Sequence, residues 1–170
     1  MNIVILHCHF ERGGVTQVVE NHVRSLRERT SVDRILLVSG QRFGGLSKTA
    51  RESVEQIVLR DFDYDEKTWV AGELASRGEA IQQQLSAELR SRGIGPEDSI
   101  LHWHNHSLGK NTAAPQVVRL LAEHRWRLLL QIHDFAEDNR PENYLRLITA
   151  IGADEPTEVD RYLYPLAPQI

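Results

Sequence analysis

Residues 2–26 constrain the fold more than any other stretch of the chain. Asn2 to Leu6 (NIVIL) is a short apolar run with no polar alternation, the pattern of a strand buried on both faces of a parallel sheet. His7-Cys8-His9-Phe10-Glu11-Arg12 follows, then Gly13-Gly14, after which Val15, Val18, Val19, His22, Val23 and Leu26 recur at three- and four-residue spacings. This change of period across a glycine pair predicts strand, turn and helix. Two glycines ahead of a helix bring the backbone close to a ligand and bare the first N–H groups, where the helix dipole favours an anion such as a phosphate. The plainer reading is a tight turn that needs glycine, because the third glycine and the downstream acid of a full dinucleotide fingerprint are lacking.

The same alternation continues along the chain. Val32–Ser39 and Val54–Leu59 read as the second and third strands, and Gln41–Arg51, with Gly44-Gly45 and little apolar material, as a loop at the rim of the first glycine turn. Lys67 to Arg92 is helical, with Val70, Leu74, Ile81, Leu85 and Leu89 on one stripe and Gly78 marking a break or a close contact. Asp98–His104 and Arg127–Ile132 are the fourth and fifth strands. Between them lies a helix that Asn111 or Thr112 can cap, with Pro115 in its first turn. Pro141 opens a further helix that Gly152 ends, and Arg161–Tyr164 reads as a last short strand. The fold class expected is α/β: a doubly wound, mostly parallel Rossmann-like sheet with helices on both faces, forming a single domain over residues 1–170. The ending Leu163–Ile170 carries apolar residues without an obvious partner and reads as cut off.

The totals narrow the classes. Hydrophobic content of 41% with 26% charged residues is that of a soluble globular protein. A net charge of −4 with scattered basic residues argues against nucleic acid as partner. No run approaches the roughly 18 apolar residues of a transmembrane segment, and no signal peptide opens the chain. The single cysteine, Cys8, excludes an internal disulfide and suits a cytoplasmic location.

Ligands of doubly wound sheets bind beyond the carboxyl ends of the strands, where the strand order reverses. At that rim the sequence places His7 and His9 after the first strand, His102, His104 and His106 around the end of the fourth, and His133-Asp134 after the fifth. Members spaced by two face one side of an extended segment. They could hold a metal with Asp134 or Glu137 completing the shell, or line a polar cleft by hydrogen bonding. His22 reads as a core residue, His124 as a solvated residue near a helix end, and Cys8 as a packing residue. The run His133-Asp134-Phe135-Ala136-Glu137-Asp138-Asn139-Arg140 gathers a histidine, carboxylates and an arginine after a buried strand. It suits proton transfer or a hydrogen bond to a sugar hydroxyl, or else a solvated loop that caps the next helix.

Three stretches in order, Glu11-Arg12-Gly13-Gly14-Val15, His102-Trp103-His104-Asn105 and Leu130-Gln131-Ile132-His133-Asp134, make the chain resemble the N-terminal, acceptor-side domain of retaining glycosyltransferases of the GT-B fold, the family 4-like group that uses nucleotide sugars. The resemblance implies transfer from a nucleoside diphosphate sugar to a sugar, lipid or small-molecule acceptor, with retention and with neither metal nor cofactor. It places His133 in the catalytic cleft, Gly13 and Gly14 beside the phosphates and acceptor, and His104 and Asn105 along the cleft. Asp134 and Glu137 fall in a loop richer in acid than the family pattern demands. The family's nucleotide site lies in a second, C-terminal Rossmann-like domain that these residues do not supply, so the fragment alone is expected to be inactive. The rival readings are a metal-dependent hydrolase built on the histidine cluster and a non-catalytic phosphate- or nucleotide-binding module.

Overall fold

A computed structural model describes residues 1–29, 31–138 and 140–170, leaving out the Arg29 side chain. Asn139, part of the acidic run singled out above, lies outside the described residues, as does Thr30.

Five strands form one sheet: β1 (Asn2–Leu6), β2 (Ile35–Ser39), β3 (Glu55–Val58), β4 (Ser99–His104) and β5 (Leu128–Gln131). Every pairing is parallel, in the order β3-β2-β1-β4-β5. The chain winds outward from β1 in one direction, then returns to place β4 on the other side of β1, so the order reverses between these two strands. That reversal opens a crevice beyond Leu6 and His104, the position at which such sheets bind ligands.

The unbroken apolar character of β1 and β2 follows from burial on both faces. Val4, Leu6, Leu36 and Val38 pack with Leu101 and Trp103 against α3 (Ala71–Ser91) and α4 (Ala114–Glu123). Ile3, Ile5, Ile35 and Leu37 face the other way, onto Val19 and Val23 of α1 (Gly14–Arg29). Each such aliphatic side chain, taken fully out of water, contributes about 1.5–3 kcal/mol. The Gly44-Gly45 loop lies at the rim of the first turn, as expected: the Gly45 N–H donates to the Phe10 carbonyl at 2.8 Å, and a Cβ there would sit 2.2 Å from the backbone at Glu11–Arg12. The expected loop over Gln41–Arg51 stops short, however: Lys48–Glu52 form a short helix, α2, capped by the Ser47 hydroxyl.

Gly78 marks a close contact and no break. α3 runs through it unbroken, and a Cβ at Gly78 would meet Gln116 Cγ at 2.5 Å, where α4 crosses. Neither Asn111 nor Thr112 caps α4: Ala113 stands at the N-cap without a side-chain bond, and Asn111 Oδ1 instead accepts from the Ala113 N–H in the turn ahead of the helix.

One expected element is overturned. Arg161–Tyr164 does not form a strand; its first three residues end a helix, α6 (Pro156–Leu163). Proline stands in the first turn, and the Glu158 carboxylate reaches back to accept from the backbone N–H groups of Asp154 and Glu155 at 2.8 and 3.3 Å, which satisfies donors a helix start leaves unpaired. Val159 and Leu163, four residues apart on one face, then bury against Ala136 and Leu147, the latter from α5 (Pro141–Ile151).

Candidate active site

The first link across the crevice is made by His7, just past β1. Its Nδ1–H donates to the His104 carbonyl at the end of β4, at 3.0 Å. Burial drives the imidazole pKa down to about 4, so the ring is neutral and its second nitrogen is an acceptor. His9 turns away from this link: the Glu11 N–H donates to its Nδ1, so its Nε2–H donates to the Tyr64 hydroxyl at 2.8 Å.

Past β4 the backbone enters the left-handed region at Asn105, φ 55°. Asparagine tolerates this because its short amide can bond locally. Here the amide reaches the chain beyond β5, with Oδ1 accepting from the N–H groups of His133 and Asp134 at 2.6 and 3.3 Å. The end of β4 thereby fixes where the chain goes after β5. His104 completes the tie, its Nδ1 lying 2.8 Å from Nε2 of His133 with the two rings stacked at 5.1 Å between centroids. His104 itself has no accessible surface and reaches the crevice only through His133, and burial among neighbouring imidazoles pulls its pKa down to about 2.

The remaining expected residues lie around this centre. Gly13 and Gly14 are exposed at the start of α1, with no carboxylate in the first turn. Neither has a positive φ, and a Cβ added at Gly14 would meet nothing within 4 Å. A turn that demands glycine therefore does not account for the pair, whereas bare backbone at a helix start leaves room for an anion. Asp134 forms a 3.4 Å ion pair with Arg140, and Glu137 accepts from the Tyr164 hydroxyl at 2.8 Å. Both carboxylates therefore brace the loop between β5 and α5 in this arrangement.

The rim histidines do not converge as one set. His106 donates to the Leu163 carbonyl at 2.8 Å and is held neutral, near a pKa of 4, by burial. His9 is committed to Tyr64. His102 and His104 stay together, with His133 stacked on His104, and they are joined by His22 of α1, which the sequence reading assigned to the core. The signal for His22 was local only in part: its helical position predicts a turn toward the sheet, but which strand it meets depends on β4 lying beside β1. Cys8 is buried, and burial pushes its thiol pKa up to about 12, so it packs and does not act as a thiolate. Sequence reasoning also missed Asp65. Its fully buried carboxylate pairs with Arg77 and accepts from the Thr112 N–H and hydroxyl at 2.7 and 2.6 Å, fixing the segment that leads into α4.

Over 148 residues, 84% of its length, the chain is 26% identical to mannosylglucosyl-3-phosphoglycerate synthase of Petrotoga mobilis. The aligned stretch is 28% of that enzyme, so the chain spans under a third of the relative it matches. This distant, partial match supports a relationship to glycosyltransferases. No family model and no solved structure matches. Among the described residues no helix is long and apolar enough to cross a membrane.

Proposed function

We propose that these residues form the acceptor-side Rossmann-like half of a retaining glycosyltransferase of the GT-B kind, which transfers a hexosyl group from a nucleoside diphosphate sugar held by a second domain. The observation that carries this reading is the position of His133. It follows β5, beside the carboxyl end of β4, with its backbone N–H held by the Asn105 side chain and its ring Nε2 2.8 Å from Nδ1 of His104, whose carbonyl His7 bonds from β1. The distant likeness to a transferase points the same way.

In this mechanism the first turn of α1, bare at Gly13-Gly14, offers N–H groups to charge that develops on the departing phosphate. His133 holds a donor hydroxyl at the reacting centre. The relative's name describes a sugar chain on 3-phosphoglycerate, so the acceptor class put forward here is a phosphorylated, anionic sugar conjugate. Lys110, whose Nζ lies 5.4 Å from the Tyr64 ring beside His9, supplies positive charge for it, while Arg42 on the same ring is paired with Asp63. The transfer chemistry needs no metal at the reacting carbon, since the leaving group is stabilised by backbone dipoles.

The test compares the 170-residue chain alone with the same chain supplied with its nucleotide-binding domain, across a panel of nucleotide sugars with a glucosyl-phosphoglycerate acceptor. Turnover is expected only in the second case, with the anomeric configuration of the donor retained in the product by NMR. His133→Ala is expected to lower kcat by about 10²–10⁴-fold, the range for loss of a positioned polar group at the reacting centre. Activity of the chain by itself would overturn the two-domain reading, and an unaffected His133→Ala would overturn the site.

A further inference from the structure

Three imidazoles meet on the α1 side of the sheet. His102 and His104 are two apart on β4 and share a face, and His22 comes down on them from the helix. The ring centroids stand 4.3 Å apart for His102 and His104, 5.2 Å for His22 and His102, and 5.6 Å for His22 and His104. One nitrogen from each lies within 4.8 Å of the others. Elsewhere on this face the sheet presents Ile3, Ile5, Ile35 and Leu37. Polar rings in such places forgo apolar burial, and two of their nitrogens, Nδ1 of His22 and Nε2 of His104, are buried without a hydrogen-bond partner. An unpaired buried polar atom costs about 1–3 kcal/mol, so a protein that keeps two of them side by side calls for a physical reason.

We propose that His22, His102 and His104 bind one divalent transition-metal ion of the zinc class, joining α1 to β4. Neutral imidazole is a favoured ligand for such ions, and three of them with one further position is a familiar ligand count. The surroundings orient them. The Nε2–H of His102 donates to Gln131 Oε1 at 2.9 Å, which leaves its Nδ1 lone pair for the ion, and His133 engages Nδ1 of His104, which leaves Nε2. Bonds of about 2.0–2.1 Å in a tetrahedral shell need ligand nitrogens roughly 3.3 Å apart, a closure that rotation of the rings supplies. His22 and His102 also line a groove of about 280 Å³ between α1 and β5, walled by Ile3, Ser25, Leu26 and Leu129. An ion at Nε2 of His104 puts the proton on Nδ1, so His104 donates to Nε2 of His133 and sets the tautomer of that ring.

Metal binding itself does not rest on the transferase reading, so it is tested by binding and not by turnover. The chain, made without a polyhistidine tag and stripped with chelator, is titrated with Co²⁺ by visible absorption and with Zn²⁺ in competition with a chromophoric chelator. One equivalent is expected, with the intense Co²⁺ bands of four-coordination. His22→Gln and His102→Gln are each expected to weaken binding by more than about tenfold, the scale at which even outer-shell changes act. His124→Gln, at the exposed end of α4, leaves it unchanged. Because His22 is half-exposed on a helix, its substitution preserves the fold, which far-UV circular dichroism verifies. Absence of stoichiometric binding by the folded chain, or equal affinity in His22→Gln, overturns the proposal.

Discussion

At Gly14 the absence of a side chain serves no packing need, which makes this position a clean probe. Gly14→Ala is expected to leave thermal stability unchanged or raise it by up to about 1 kcal/mol through helix propensity, while lowering affinity for a phosphate-bearing ligand; melting and binding measured on the same sample separate the two. Gly45 gives the opposite result. Its Cβ would strike the backbone at Glu11–Arg12, so Gly45→Ala is expected to cost about 1–3 kcal/mol in urea unfolding. Asn105 carries two separable duties. Asn105→Ala loses the clamp on His133 and Asp134 and also strains the left-handed backbone, whereas Asn105→Gly loses the clamp alone. The alanine variant is expected to be the less stable of the two by about 1–2 kcal/mol.

Among the elements, the buried carboxylate of Asp65 ties three of them: its own segment after β3, Arg77 of α3 and Thr112 ahead of α4. Asp65→Ala is expected to destabilise by about 3–5 kcal/mol, because it leaves a guanidinium and two donors without their acceptor, and chemical denaturation reads this directly. Asp65 was invisible to a local reading, since its partners lie 12 and 47 positions away. The strands were legible for a different reason: β1 and β2 are unbroken apolar runs, which burial on both faces requires, and the edge strand β5 keeps an apolar run although Leu129 is exposed. α6 was not legible from its end. In four residues, Arg161 to Tyr164, a period of 2 cannot be told from one of 3.6, and tyrosines weigh toward strand. The decisive signals, Pro156 and Glu158, sit at its start. That His133 and Gly13-Gly14 follow strand ends was legible, because apolar runs mark where strands stop. His22 was not, because its partners belong to a strand that only the sheet order brings alongside.

For the whole molecule, three buried histidines make stability depend on acidity. Each is held neutral, with its folded pKa below the ordinary 6.5: about 4 for His7 and His106, about 2 for His104. The unfolded chain therefore binds more protons below pH 6.5, and stability falls as pH drops through that value and down toward the folded pKa values. Each ring adds a slope of up to about 1.4 kcal/mol per pH unit. Urea midpoints of chelator-treated protein at a series of pH values are expected to be flat above about pH 7 and to fall steeply below about pH 6; a level profile down to pH 5 would contradict the burial described. The central place of β1 bears on synthesis too. β1 must wait for β4 before its second flank is covered, and His22 leaves the ribosome roughly 80 residues ahead of His102. At ~5–20 residues per second that is an interval of roughly 4 to 16 s in which the nascent amino-terminal third has no closed sheet to join. Chaperones that recognise extended apolar peptide therefore have a long opportunity at β1.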